Sequence, residues 1–274
     1  MRWRSVQEFV HLDRTMLVRR PEGDLDDGPA VVLVHGIGVS SRYWTRLAPL
    51  LAPHASVHVV ELPGFGDAPR RDEVLSIEEH ASTLLAHLRT EGLDSAVLVG
   101  HSMGVQVVVE AALQDPARVR AVVGIGGVVD PSSRSTLRQA LKLGHDVLRE
   151  PLSANKEVLR DYARTGLRWY LRTVPSMIGY RTEDALPRLE VPLLVVRGSR
   201  DPICTREWAE EMTALAPRAR LVEIPGGAHV TMFSRPQEVA DEVLAEVRAT
   251  AAAPPAATGP AAATGPSVAA APPS

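Results

Sequence analysis

Ala96-Val97-Leu98-Val99-Gly100-His101-Ser102-Met103-Gly104 is the stretch from which the rest of the chain can be read. An apolar, β-branched run stops at a glycine, presents one serine, and passes a second glycine into Val105-Gln106-Val107-Val108-Val109-Glu110. The pattern predicts a buried strand, a sharp turn and a helix, with Ser102 at the tip in strained backbone. Side chains at Gly100 or Gly104 would collide across so tight a bend. The serine hydroxyl then stands above the sheet beside the start of the next helix. There the N–H of Met103, which has no intrahelical acceptor, faces negative charge developing on a bound carbonyl.

Reading outward, Ala30–Val34 is a continuous apolar run of the kind covered on both faces, Ser56–Leu62 is a second buried strand, Val119–Ile125 is another apolar strand, and Val191–Val196 and Ala219–Ile224 read as the last two. Helical segments separate them. A serine at 40 or 41 caps one carrying Trp44, Leu47 and Leu50. Ser76 with Glu79 forms a capping box that opens a helix to about Thr90, stopped by Gly92. Others run to Gln114, from Arg206 to Leu215, and from Gln237 to Arg248. Strand–helix alternation implies parallel strands with right-handed crossovers, so the fold class is α/β, a doubly wound, mostly parallel sheet. Ser5–Leu12 and Thr15–Arg20 read as an antiparallel hairpin turning at Asp13-Arg14.

The rhythm breaks between Pro131 and Leu186, where Leu137, Leu141, Leu148, Val158, Leu159, Tyr162, Leu167, Tyr170 and Leu171 recur at helical spacing. This predicts an inserted helical cap. Residues 1–130 and 187–248 then form the core, with 131–186 as the cap. From Ala249 the chain is Ala, Pro, Thr, Gly and Ser, with nothing to bury, and 249–274 reads as a disordered tail.

The 274 residues carry 30 Lys+Arg against 33 Asp+Glu, for a formal net charge of -3. That balance argues against nucleic acid or an anionic membrane surface as partner. The single cysteine, Cys204, excludes an internal disulfide and a thiolate metal cluster. With no signal-peptide core and no run of about 20 apolar residues, the expectation is a cytoplasmic protein.

A serine hydroxyl needs a base to take its proton, and the base needs an acid to hold its tautomer. In folds with this turn the order along the chain is Ser, then Asp or Glu, then His. Asp201 follows the strand ending at Val196, and His229 follows the last strand as the sole histidine beyond residue 145. Asp130 is a rival acid. Gly36-Ile37, in His35-Gly36-Ile37-Gly38, can provide a second oxyanion donor beside Met103, with Ile37 the candidate. His35 reads as a loop anchor, and His101, adjacent to the serine, as support or lining.

Together His35-Gly36-Ile37-Gly38, Glu61-Leu62-Pro63-Gly64-Phe65-Gly66, Gly100-His101-Ser102-Met103-Gly104, Gly198-Ser199-Arg200-Asp201 and Gly226-Gly227-Ala228-His229 resemble the α/β-hydrolase superfamily, in its serine-nucleophile, lid-containing branch. The resemblance implies the α/β-hydrolase fold, Ser102 as nucleophile, Asp201 as acid, His229 as base, and Ile37 and Met103 as backbone oxyanion donors. It departs at Glu61, where members with this lid often carry Asp, and at Val105, where a second glycine is common. Val230 after the histidine argues against the carbon–carbon-bond hydrolases, which place Trp there.

The reaction this predicts is hydrolysis of a small carboxylic ester, lactone or thioester, with no metal and no organic cofactor. Trp44, Met103, Trp169, Tyr170, Met177, Ile178 and Val230 are candidate pocket residues. Arg164, Arg168 and Arg172 lie at four-residue spacing, as a solvated stripe or a clamp for a substrate carboxylate. The same triad could transfer the acyl group to another nucleophile, including peroxide, and the same pocket could serve a small-molecule receptor.

Overall fold

The computed structural model describes residues 2–131, 160–161 and 164–251. The expected cap helices around Leu137, Leu141, Leu148, Val158, Leu159 and Tyr162, and the tail beyond residue 251, lie outside the described residues. The strands are β1 (Trp3–His11), β2 (Arg14–Pro21), β3 (Ala30–Val34), β4 (Ser56–Glu61), β5 (Ala96–His101), β6 (Val119–Ile125), β7 (Leu193–Gly198) and β8 (Ala219–Ile224). The helices are α1 (Ala48–Leu51), α2 (Ile77–Thr90), α3 (Met103–Gln114), α4 (Leu167–Gly179), α5 (Thr182–Ala185), α6 (Arg206–Leu215), α7 (Thr231–Ser234) and α8 (Pro236–Ala251).

All eight strands join one sheet in the order β1-β2-β4-β3-β5-β6-β7-β8. β1 pairs antiparallel with β2, and β2 with β4; every other pair is parallel. Val31, Leu33, Val97, Val99, Ala121 and Val123 point into one core, under α1 and α8. Val32, Val34, Leu98 and Val122 point into the other, under α2, α3 and α6. This period-two division between two apolar layers explains why these strands read as unbroken hydrophobic runs.

The chain leaves β3 for β4 on one side, then returns over β3 to β5 on the other. Strand order therefore reverses between β3 and β5, and the loops leaving their carboxyl ends diverge there. Open α/β sheets form their binding crevice at such a point. The Ser76–Glu79 capping box is present in both directions, and α2 stops at Gly92, which adopts φ +64°.

Two local features differ from the sequence expectation. The hairpin turns at Leu12 and Asp13, with φ 48° and 59°, one residue earlier than expected, and Arg14 already pairs with His11. Positive φ at both central residues suits the twist of a two-residue hairpin. The segment carrying Trp44, Leu47 and Leu50 is also not one helix. It is a 3-10 turn over Ser41–Trp44, the single α-turn α1 and another 3-10 turn over Ala52–His54, each of the last two with proline at its start. Proline favours a first turn and interrupts a helix already running.

Three histidines are buried away from the rim. His58 Nδ1 lies 3.4 Å from His87 Nε2, and its own Nε2 lies 3.3 Å from Ser56 Oγ. His80 packs against Phe65. Burial pushes His58 and His80 down to about 3 and His87 down to about 4, with neighbouring positive charge adding to the effect on His58 and His80. The unfolded chain binds these protons below about pH 6.5, whereas the fold refuses them until pH 3 to 4. Their contribution to stability is complete above pH 6.5 and is lost as pH falls toward 4, with a slope of up to about 1.4 kcal/mol per pH unit for each. The expected outcome is a thermal midpoint that drops steadily from pH 7 to pH 4. His87→Gln should make that dependence shallower; an unchanged slope would exclude His87 as a source.

Candidate active site

The site grows from the turn between β5 and α3. Ser102 sits there at φ 56°, ψ −122°, a conformation an L-residue holds only when its surroundings enforce it. Its N–H donates to the Ile125 carbonyl at 3.0 Å, and its carbonyl accepts from Val105 N–H at 3.0 Å. A Cβ on Gly100 would lie 2.3 Å from the Gly104 carbonyl oxygen, and one on Gly104 would lie 2.3 Å from that of Val34. Neither backbone could give way, so both positions exclude every side chain. Met103 is the first residue of α3, so its N–H belongs to the group left without an intrahelical acceptor.

The loop after β3 lies directly against the serine. A Cβ on Gly36 would meet Ser102 Cβ at 2.9 Å and Oγ at 3.4 Å, which brings the backbone leading to Ile37 alongside the hydroxyl. His35 holds this loop with both ring nitrogens: Nδ1–H donates to the Gly36 carbonyl at 2.7 Å, and Nε2 accepts from Leu62 N–H at 3.0 Å. Burial keeps its pKa below the usual range, so the ring is neutral, as this pattern of one donor and one acceptor requires. Glu61 braces the neighbouring loop, accepting from Ser41 Oγ at 2.6 Å and Asp67 N–H at 2.9 Å, with Arg19 at 3.2 Å. Burial raises its pKa, but these partners together outweigh burial and hold it below the ordinary carboxylate value.

Asp201 and His229 meet across the loops after β7 and β8. His229 Nδ1 is 2.9 Å from Asp201 Oδ2. The other oxygen, Oδ1, accepts from the backbone N–H groups of Ile203 at 2.8 Å and Cys204 at 3.0 Å. A buried carboxylate needs such partners, and Asp201 is 4% exposed. With Nδ1 facing a carboxylate, the proton sits on that nitrogen and leaves Nε2 as the basic position. Gly198 lets the two loops touch, since a Cβ there would lie 2.4 Å from the Gly227 carbonyl carbon. Gly126, at the end of β6, lies against the pair; its Cβ would be 3.1 Å from His229 Nδ1 and 3.3 Å from Asp201 Oδ2. The end of β6 thus touches both the serine turn, through Ile125, and the Asp201–His229 pair, through Gly126.

A family model described as the alpha/beta hydrolase family matches residues 31–242. The chain belongs to this family. Among its relatives, (E)-2-((N-methylformamido)methylene)succinate hydrolase of Acinetobacter baylyi is 24% identical over 232 residues, covering 78% of this chain and 88% of that protein. Pimeloyl-[acyl-carrier protein] methyl ester esterase of Edwardsiella ictaluri is 28% identical over 236 residues, covering 76% and 88%. The crystal structure of an esterase from Rhodococcus sp. ECU1013 superposes with a TM-score of 0.70 at 21% identity, covering 90% of this chain and 99% of that one, a likeness of fold.

On this alpha/beta hydrolase scaffold the candidate pocket residues divide. Trp169 and Met177 of α4 are buried in the same cluster as Ile37 and Met103, with Tyr170 and Ile178 packed against it. Trp44 has no exposed surface and lies in the opposite core, together with Val230. The arginine stripe is largely engaged. Arg164 bonds Asp67, Arg172 bonds the Asp72 carbonyl, and Arg70 donates to the Arg164 carbonyl at 2.9 Å. Asp130, the rival acid, is buried beyond the end of β6.

The sequence reading missed residues that contact the rim loop from the insertion. Ser40 Oγ donates to Asp161 Oδ2 at 2.6 Å, and Thr165 Oγ1 donates to the Gly38 carbonyl at 2.9 Å. Burial raises the pKa of Asp161 despite the Ser40 hydrogen bond. A polar residue at 161 or 165 beside an apolar helix carries no local signal of such a contact. The close backbone packing makes a direct prediction. Gly104→Ala should abolish soluble, cooperative folding or cost about 3 kcal/mol or more in urea unfolding, since rigid backbone on both sides must shift. An Ala variant of native stability would mean that α3 does not sit on the end of β3 as described.

Proposed function

We propose that this protein is a serine hydrolase that cleaves a small ester-like substrate through an acyl-enzyme. The observation that carries the reading is the 2.9 Å contact of His229 Nδ1 with Asp201 Oδ2, on the rim of the sheet whose sharpest turn presents Ser102. Ser102 Oγ attacks the substrate carbonyl while His229 Nε2 takes its proton. Asp201 holds the ring in the tautomer with the proton on Nδ1 and stabilises the imidazolium that forms. The tetrahedral oxyanion receives the backbone N–H groups of Ile37 and Met103, each donor worth about 10²–10³ in rate. Collapse expels the leaving alcohol or thiol with the proton from His229. Water, activated by the same histidine, then releases the acid and restores the serine.

Residues 131–186 form the cap in this reading, with Trp169, Tyr170 and Met177 facing the acyl group. Trp44 and Val230 support the walls from behind. Relatives named as an ester hydrolase and a substituted-succinate hydrolase support bond cleavage by water as the reaction class.

Purified protein mixed with a short-chain p-nitrophenyl ester should release a burst of p-nitrophenol stoichiometric with enzyme, and a fluorophosphonate should label it at Ser102. Ser102→Ala should lose both. Asp201→Asn should lower kcat by roughly 10⁴, since the asparagine amide favours the wrong imidazole tautomer. Wild-type turnover by Ser102→Ala would remove the serine from the mechanism.

A further inference from the structure

Three backbone segments must keep register for this chemistry: the loop carrying Ile37, the turn carrying Ser102, and the loop carrying His229. The side chains of Tyr43 and His101 connect them. Gly36 N–H donates to Tyr43 Oη at 2.6 Å. Tyr43 Oη lies 3.2 Å from His101 Nδ1, and His101 Nε2 lies 3.0 Å from the carbonyl oxygen of His229. All three residues of this chain, Tyr43, His101 and His229, are buried.

The last contact fixes the direction of the others. A carbonyl oxygen only accepts, so His101 Nε2 carries a proton. Burial first, and the neighbouring His229 second, hold the His101 pKa well below the ordinary value, so the ring is neutral and Nδ1 is bare. The Tyr43 hydroxyl therefore donates to Nδ1, and its oxygen receives the Gly36 N–H. One unbroken sequence of donation runs from Gly36, through Tyr43 and His101, to the backbone of His229.

We propose that Tyr43 and His101 are positioning residues, forming a hydrogen-bonded relay that sets the oxyanion loop at a fixed distance from the backbone of the general base. Neither touches the reacting atoms. The proposal rests on the assignment of Ile37 and His229 given under Proposed function. Its physical point is that donor and base lie on loops from opposite parts of the chain, and small misplacements at a reacting centre are costly in rate. A relay with one tautomer and one direction leaves no alternative arrangement of the two loops at equal energy.

Aromatic packing is the competing explanation, since the Tyr43 and His101 rings meet edge to face at 5.4 Å and 72°. Tyr43→Phe separates the two, because it keeps the ring and removes the relay. The test uses the full chain in two arms. In the first, long-range ¹H–¹⁵N spectra of protein labelled on histidine nitrogen should show His101 at pH 7 as a neutral ring protonated on Nε2 alone. In Tyr43→Phe the Nε2 proton should stay, held by the His229 carbonyl, while the Nδ1 resonance moves to that of a nitrogen accepting no hydrogen bond. In the second arm, with a p-nitrophenyl ester, Tyr43→Phe and His101→Leu should each lower kcat by about 10-fold with KM within about 2-fold, less than outright loss of an oxyanion donor. His101→Gln, whose amide can still donate to the His229 carbonyl, should recover most of the rate lost in His101→Leu.

A His101 ring protonated on Nδ1, or charged at pH 7, overturns the proposal even if a variant proves unstable. So does a Tyr43→Phe enzyme with wild-type kcat. If no ester is turned over by the wild-type protein, the hydrolase assignment fails on its own, and the His101 tautomer still decides the relay.

Discussion

Two missing methyl groups determine where everything else can sit. Gly104 rests its Cα against the carbonyl oxygens of Val34 and His35, and Gly100 rests against the backbone of Gly104 and Val105. The start of α3 is thereby wedged onto the ends of β3 and β5, at the reversal of strand order. That contact forces Ser102 into positive φ and brings Met103 N–H and the Gly36–Ile37 backbone to the same place. The strain is enforced by two fully buried strands, each bonded on both sides within the sheet. Such a cost is sustained only where the surrounding structure over-determines the conformation.

The same economy governs polar groups below the rim. Burial penalises charge, so the buried histidines and carboxylates around the rim described above are either neutral or heavily bonded. His35 and His101 follow the first course, each with one nitrogen donating and one accepting. Glu61 and Asp201 follow the second, each accepting backbone N–H groups and a side-chain donor. Because the histidines spend both nitrogens on structure, they are unsuited to carry protons for a reaction. His229 differs in that Nδ1 goes to Asp201, which leaves the distal nitrogen as the basic one.

Much of this could be read from the chain before any coordinates. Unbroken apolar runs marked β3, β5 and β6, because both faces of each are covered, whereas β8, at the edge of the sheet, is only partly covered. The Ser76–Glu79 box marked the start of α2, because its partners lie three residues apart. The meeting of Asp201 with His229 followed from each closing a strand of one sheet. What could not be read depends on partners distant in sequence. Ser40 and Asp161 are 121 residues apart and His101 and His229 are 128 apart, with backbone atoms among the acceptors. No spacing encodes such pairs. Trp44 illustrates the opposite difficulty: an aromatic next to a rim loop suggests a pocket wall, yet the 3-10 turn over Ser41–Trp44 leaves it fully buried in the core on the far face.

The described part of the insertion is fastened to the core at two places beside the candidate site. At one end, Thr165 and Asp161 bond Gly38 and Ser40, on the loop proposed to hold the oxyanion. At the other, Gln106 of α3 donates to the Met177 carbonyl at 3.0 Å, and Tyr180 donates to Glu110 at 2.9 Å. Between them Trp169 lies over Gly64, close enough that a Cβ there would be 2.7 Å from its ring. Displacing Asp161, Thr165, Met177 or Tyr180 therefore breaks bonds to the loop after β3 or to the helix that begins at the serine. In the proposed reading, the groups that shape the pocket are mechanically continuous with those that shape the site beneath it. On that proposal, substrate size and transition-state geometry are not independent of one another.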